Sequence, residues 1–231
     1  MPSAQYDDVT VAQPLLYAVS HASGGWCSAG ACVRRRSSEH SVGEFAAATL
    51  AGIFGFDDGI RLMREQVVHF ADTPPGGMLA VAAGTEDVAD LLGEEVHLAA
   101  VNAAASSLLA GGANPWTGRP RRLARTGRDL PPGAGQAGPP QPRGRRRPRT
   151  RDPARVPHRA AAAAGRPLLL RWYGRPAPRE EALDPDFWAW QAARTVYFAP
   201  ALTALLAAHD CLLLEAGRAT ASAGWPAAQP G

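Results

Sequence analysis

Apolar residues follow a helical period in some stretches of the chain and cluster into short strand-like runs in others. Ile60, Met63, Val67 and Phe70 recur at helical spacing behind Asp57 and Asp58, two carboxylates well placed at a helix N-terminus. Pro74-Pro75-Gly76-Gly77 predicts a break after that helix. Ala-rich residues 44–52 predict a helix before it. Strand-like runs follow at 78–83, 96–101 and 106–109, with a short helix at 85–92 opened by Thr85-Glu86-Asp87. A strand, a helix and two further strands after a helical pair predict the start of a ferredoxin-like α+β unit.

The flanks are less regular. Gln13-Pro14 precedes the apolar Leu15, Leu16, Tyr17, Ala18 and Val19, which places Pro14 at an N1-like helix position. Residues 23–38 carry no period and are expected to form a loop. Residues 111–179 show none until Leu168-Leu169-Leu170 and are expected to be poorly ordered. Globular texture returns with Phe187-Trp188-Ala189-Trp190 and Val196-Tyr197-Phe198, then an amphipathic helix at 200–208 and a strand at 211–214.

Composition narrows the class. A chain of 231 residues that is 46% hydrophobic can bury a sizeable core, in one domain with a subdomain. Cys27, Cys32 and Cys211 form neither a disulfide framework nor a zinc motif, so no metal is expected. No apolar run reaches the roughly 18 residues that a membrane span needs, and Asp7 and Asp8 stand where a signal peptide would be basic. A cytoplasmic protein without membrane contact is expected.

Charge is divided unevenly. All 24 basic residues are Arg, and 17 of them lie between Gly111 and Arg179 against only Asp129 and Asp152. That tract would attract phosphate. It lacks the interleaved aromatics of a stacking platform, so nucleic-acid binding is kept as an alternative and not preferred. A Lys-free chain rich in Ala, Gly, Pro and Arg points instead to a very GC-rich gene.

Chemistry concentrates at Glu39-His40-Ser41-Val42-Gly43-Glu44, directly before a predicted helix. A Ser on a strand-to-helix elbow is held exposed. The N–H after it, that of Val42, faces the oxyanion formed when the Ser oxygen attacks a carbonyl. Gly43 lets the helix approach closely.

The wider pattern carries a resemblance. His40-Ser41-Val42-Gly43-Glu44-Phe45 is followed by Asp58-Gly59-Ile60-Arg61-Leu62-Met63, Pro74-Pro75-Gly76-Gly77-Met78-Leu79 and Ala100-Val101-Asn102-Ala103. It resumes at Gly174-Arg175-Pro176, at Asp184-Pro185-Asp186-Phe187-Trp188 and at Asp210-Cys211-Leu212-Leu213-Leu214-Glu215. Gln13-Pro14-Leu15-Leu16-Tyr17-Ala18 matches the helix before the elbow. Together these resemble the acyltransferase domains of modular polyketide synthases, relatives of malonyl-CoA:acyl-carrier-protein transacylase. An unrelated α/β hydrolase would share the elbow but not the later motifs.

The resemblance implies an α/β fold. Its α/β-hydrolase-like large subdomain would comprise 1–75 and 175–231, with a ferredoxin-like small subdomain inserted at 76–130 and the pattern incomplete. It implies ping-pong transfer of a malonyl-type group from CoA, through an ester on Ser41, to the phosphopantetheine arm of an acyl carrier protein. Val42 would be the oxyanion donor and would lean the choice towards malonyl. Gln13, His40, Gln66 and Asn102 would line the substrate site. Partners would be the carrier protein, acyl-CoA and other synthase domains, in antibiotic-type biosynthesis, with no bound cofactor.

Departures from the pattern predict impaired activity. Glu39 stands where the family has Gly, and Gln66 where an Arg would clamp the malonyl carboxylate; Arg64 is nearby on another helical face. The family's Gln loop that completes the oxyanion hole is expected ahead of residue 1. The base-bearing His motif would fall in the Arg/Pro tract, where His158 stands in an unmatched setting. His21, His69, His97 and His209 are read as structural or surface residues. A one-base slide of residues 26–38, back-translated with GC-rich codons, restores a Gly before His40. The same slide turns residues 215–222 into Glu-Ala-Gly-Pro-Gly-His-Gly-Gln. Small frame disruptions in an acyltransferase gene account for both, and a degenerate, non-catalytic remnant is the alternative product.

Overall fold

The computed structural model describes residues 8–29, 37–38, 40–71, 76–112, 168–170, 175–176, 179–189, 191–210 and 213. The expected strand at 211–214 (apart from Leu213), His158, Glu39 and nearly all of the Arg/Pro tract lie outside them.

Helix α1 spans Val9–Ala29. Asp8 caps it, its Oδ1 accepting the Thr10 N–H at 2.8 Å and the Thr10 hydroxyl at 2.7 Å. Those bonds favour the ionised carboxylate and hold its pKa below the usual value. Two expectations fail here. Pro14 lies inside the helix, not at its first position, and the helix continues through Ala29 where a loop was expected from residue 23. Tertiary packing explains the extension, because a Cβ at Gly24 would collide with the Leu50 side chain. Glycine there costs propensity but admits the next helix.

Strand β1 (Ser37–Ser38) precedes α2 (Gly43–Leu50) and α3 (Phe56–Ala71). Phe45, Ala46, Ala47 and Ala48 of α2 are buried, and the small size of the three alanines brings α1 close. Tyr17 of α1 is fully buried, its hydroxyl 2.8 Å from Thr49 Oγ1 and donating to the Phe56 carbonyl at 3.1 Å. Burial pushes its pKa up. Trp188 completes this core, edge-on to Phe54 at 5.1 Å and donating its indole N–H to the Ala182 carbonyl at 2.8 Å. It sits on a short helix α5 (Pro185–Ala189) that follows α4 (Arg179–Leu183).

Strands β2 (Gly76–Val81), β3 (Val96–Ala103) and β4 (Ser106–Gly112) form an antiparallel sheet in the order β2-β4-β3. Leu79, Val81, Val96 and Leu109 give it a separate core with Val88 and Leu91. Gly76 and Gly77, read as a break, pair with Gly112 and Gly111 at the strand end. The helix expected at 85–92 is reduced to a 3-10 turn at Ala89–Leu91. Asp87 accepts the Gly84 N–H at 3.0 Å, a local bond that competes with helix initiation.

A second sheet pairs β1 parallel to β5 (Leu168–Leu170), with β6 (Arg175–Pro176) antiparallel beyond it. Helix α6 spans Phe198–Ala208, starting two residues before the expected point. Ahead of it, Val196 bridges in parallel to Ala100 on β3. The bridge is held by Val196 N–H to the Ala99 carbonyl at 2.9 Å and Val101 N–H to the Val196 carbonyl at 2.8 Å.

Candidate active site

Ser41 lies between β1 and α2 with φ at 56°, the one non-glycine residue in the left-handed region among the described residues. An L-residue pays about 1–2 kcal/mol for that conformation, so the surroundings must enforce it. The turn does so locally. Gly43 N–H donates to the His40 carbonyl at 3.1 Å, and Glu44 N–H to the Ser41 carbonyl at 3.0 Å. Ser41 is exposed, as an elbow requires. Val42 is the N-cap of α2, and among the described residues no backbone partner takes its N–H. The helix N-terminus adds partial positive charge at that amide.

His40, beside Ser41, has its Nε2 2.9 Å from Asn102 Oδ1 on β3. An amide oxygen can only accept, so His40 donates from Nε2. Its ring lies 5.9 Å from that of Phe198. Two residues predicted separately thus meet across the seam between the elbow and the antiparallel sheet.

Gln66, on α3, donates from Nε2 to Gln191 Oε1 at 3.3 Å. Gln191 is 4% exposed and gives its own Nε2 hydrogens to the Ser41 carbonyl and to Glu44 Oε2, each at 2.9 Å. Glu44 itself is fully buried. A polar chain Gln66–Gln191–Glu44 therefore runs beneath the Ser41 turn.

No family model matches the chain. It is 30% identical over 190 residues to a phenolphthiocerol/phthiocerol polyketide synthase protein of Mycobacterium tuberculosis, a match covering 77% of this chain and 12% of that protein. The acyltransferase domain from the second module of the salinomycin polyketide synthase superposes with a TM-score of 0.73 at 24% identity, over 90% of this chain and 49% of the other. A malonyl CoA-acyl carrier protein transacylase from Burkholderia pseudomallei superposes with a TM-score of 0.71 at 21% identity, over 90% of this chain and 72% of the other. The chain is similar in sequence to part of a polyketide synthase protein and shares the fold of acyltransferase domains. It spans about an eighth of the mycobacterial synthase protein and about half of the salinomycin acyltransferase chain.

The remaining predicted positions fall as follows. Gln13 is half-buried on α1, and among the described residues no hydrogen bond joins it to the Ser41 turn. Arg64 is exposed while Gln66 is half-buried, which places them on different faces of α3. His21 packs against Phe56 at 4.9 Å between ring centres, His97 is half-buried on β3, and His209 follows α6. His158 lies outside the described residues.

Gln191 and Glu44 are absent from the sequence-derived site. Glu44 stands in the elbow motif, where a glutamate at a helix N-terminus reads as a favourable surface charge; its burial is a tertiary fact. Gln191 follows the Phe187-Trp188 motif by only three residues, the one signal that could have found it. Among the described residues, no group of three or more His, Cys, Asp or Glu is placed to hold a metal, and no helix is long and apolar enough to cross a membrane.

Proposed function

We propose that the chain moves a malonyl-type acyl group from CoA to the phosphopantetheine thiol of an acyl carrier protein through an ester on Ser41. The observation that carries this reading is Ser41 itself, exposed at φ 56° on the β1–α2 elbow with the Val42 N–H beside it. The Ser41 oxygen attacks the thioester carbonyl, and the Val42 N–H stabilises the oxyanion. The C–S bond breaks, CoA leaves as the thiol with the serine proton, and the acyl-Ser41 ester remains. The carrier thiol then attacks that ester, passing its proton back to Ser41 as the new thioester forms. Residues 1–75 and 175–231 would form the large subdomain around this site. The sheet from 76 onward would be the ferredoxin-like small subdomain, and other domains of a cytoplasmic synthase in antibiotic-type biosynthesis would be its neighbours.

Turnover is impaired in this chain. Gln66 offers a neutral amide, already bonded to Gln191, where the resemblance places a carboxylate-binding Arg. His158 stands in a setting that does not match the family's base motif. Binding of nucleic acid to the Arg tract is the less favoured reading, since the relatives are polyketide synthases.

The test is incubation with labelled malonyl-CoA, with and without a carrier protein. The wild-type chain retains label on Ser41 slowly, and Ser41→Ala retains none. Equal labelling of the two proteins removes the chemistry, and turnover near that of intact relatives removes the impairment.

A further inference from the structure

We infer that Gln191 is a positioning residue that aims the Val42 N–H; this rests on the acyl-transfer reading above. Nε2 of Gln191 reaches the Ser41 carbonyl and Glu44 Oε2, both at 2.9 Å, while its Oε1 accepts from Gln66. A side-chain amide has two N–H donors, and here both are committed to acceptors. Flipping the amide would set its oxygen against a carbonyl and a carboxylate, so its orientation is fixed.

The Ser41 carbonyl and the Val42 N–H belong to one peptide group. That group is planar and, with no cis bond among the described residues, its C=O and N–H point in opposite directions. Holding the carbonyl inward at Gln191 therefore turns the Val42 N–H the other way, out of the buried side of the turn. The same hydrogen bond polarises the peptide group and strengthens its N–H as a donor. The Glu44 N–H also donates to the Ser41 carbonyl, at 3.0 Å, but that bond is local to the turn. Among the described residues, only Gln191 anchors the peptide to a distant segment, 150 residues along the chain. Burial of Gln191 and Glu44 keeps water from substituting for the amide.

The experiment uses the full chain as wild type, Gln191→Met and Gln191→Glu. Met keeps the volume and removes all three hydrogen bonds; Glu keeps the shape and removes both N–H donors, leaving at most the one O–H of its protonated form. Each protein, shown folded by its melting curve at the working temperature, is mixed with saturating malonyl-CoA. The mass of the Ser41 peptide is then followed through a single turnover. Hydrogen exchange is measured in parallel over residues 40–48 and 76–112.

We expect exchange to accelerate at 40–48 and keep wild-type rates at 76–112. The rate of ester formation falls about tenfold or more, because a misaimed oxyanion donor is lost only in the transition state. The malonyl-CoA concentration for half-saturation changes less than about twofold. If Gln191→Met does not fold, Gln191→Glu decides. Exchange at 40–48 unchanged in a folded variant, or ester formation within about twofold of wild type, overturns the inference. A wild-type chain that never esterifies Ser41 instead overturns the acyl-transfer reading, and the exchange data alone then decide whether Gln191 holds the turn.

Discussion

His40 and Asn102, 62 residues apart in the chain, meet at 2.9 Å between Nε2 and Oδ1. This bond ties the residue before Ser41 to β3, so the elbow and the antiparallel sheet share a fixed point. Replacing Asn102 by Ala removes the acceptor and leaves a half-buried imidazole N–H without it. We expect a loss of about 1–2 kcal/mol in stability, measured by denaturant unfolding. Ser41 labelling by malonyl-CoA should fall further than that loss explains, because the turn loses its tether. An Asn102→Ala protein as stable as wild type would show that water replaces the amide at no cost.

Gln66 gives a prediction about acyl choice. Gln66→Arg places a guanidinium where a neutral amide now bonds Gln191. A charge-assisted pair with a carboxylate is worth roughly 1.5–3 kcal/mol. The variant should therefore load malonyl over acetyl, relative to wild type, by about tenfold or more, read as competition between the two labelled CoA esters. An unchanged malonyl-to-acetyl ratio would show that position 66 does not meet the acyl carboxylate.

Gly59 tests the packing of α3 on α1. A Cβ at that position would collide with the Tyr17 hydroxyl and come close to the Phe54 ring. Tyr17 cannot yield cheaply, because it is fully buried and bonded to Thr49 and Phe56. Although Ala is the better helix former, Gly59→Ala should destabilise by about 1–3 kcal/mol through overpacking, measured by denaturant unfolding. A gain in stability would mean that Tyr17 has room to move.

Asp8 makes the start of α1 sensitive to acid. Its folded pKa lies below the ordinary carboxylate value because the Thr10 hydroxyl and N–H bond the charged form. A depressed pKa contributes stability that is present above the unfolded pKa and lost as pH falls through the folded one. Hydrogen exchange at residues 9–12 should stay slow above about pH 4 and accelerate below it. Asp8→Ala should exchange fast at every pH. Protection that persists in acid would show that the cap does not depend on charge.

The elbow is legible in the sequence because its determinants are consecutive: a Ser, a Gly two residues later and an Ala-rich helix. The same holds for α3, where four apolar residues at helical spacing follow two acids. Helix α1 is legible only in part, because Gly24 and Gly25 break local propensity while Leu50, a residue of another element, makes Gly24 fit. Residues 85–92 mislead in the opposite direction, since the Asp87 carboxylate bonds backwards to Gly84 in place of starting a helix. Gln191 has no local signature. Its role exists only once the chain closes on itself and brings it beneath Ser41.

The Val196 splice onto β3 has a further consequence for chemistry. Thr195 Oγ1 donates to the Leu98 carbonyl at 2.7 Å, and Val196 takes the adjacent register position. A slip of β3 by one residue past this lock would reverse which side chains face inward and shift Asn102 by about 3.3 Å along the strand. His40 would then lose its partner. Damage at a sheet margin far along the chain would therefore register at the Ser41 turn, carried there through Asn102 and His40.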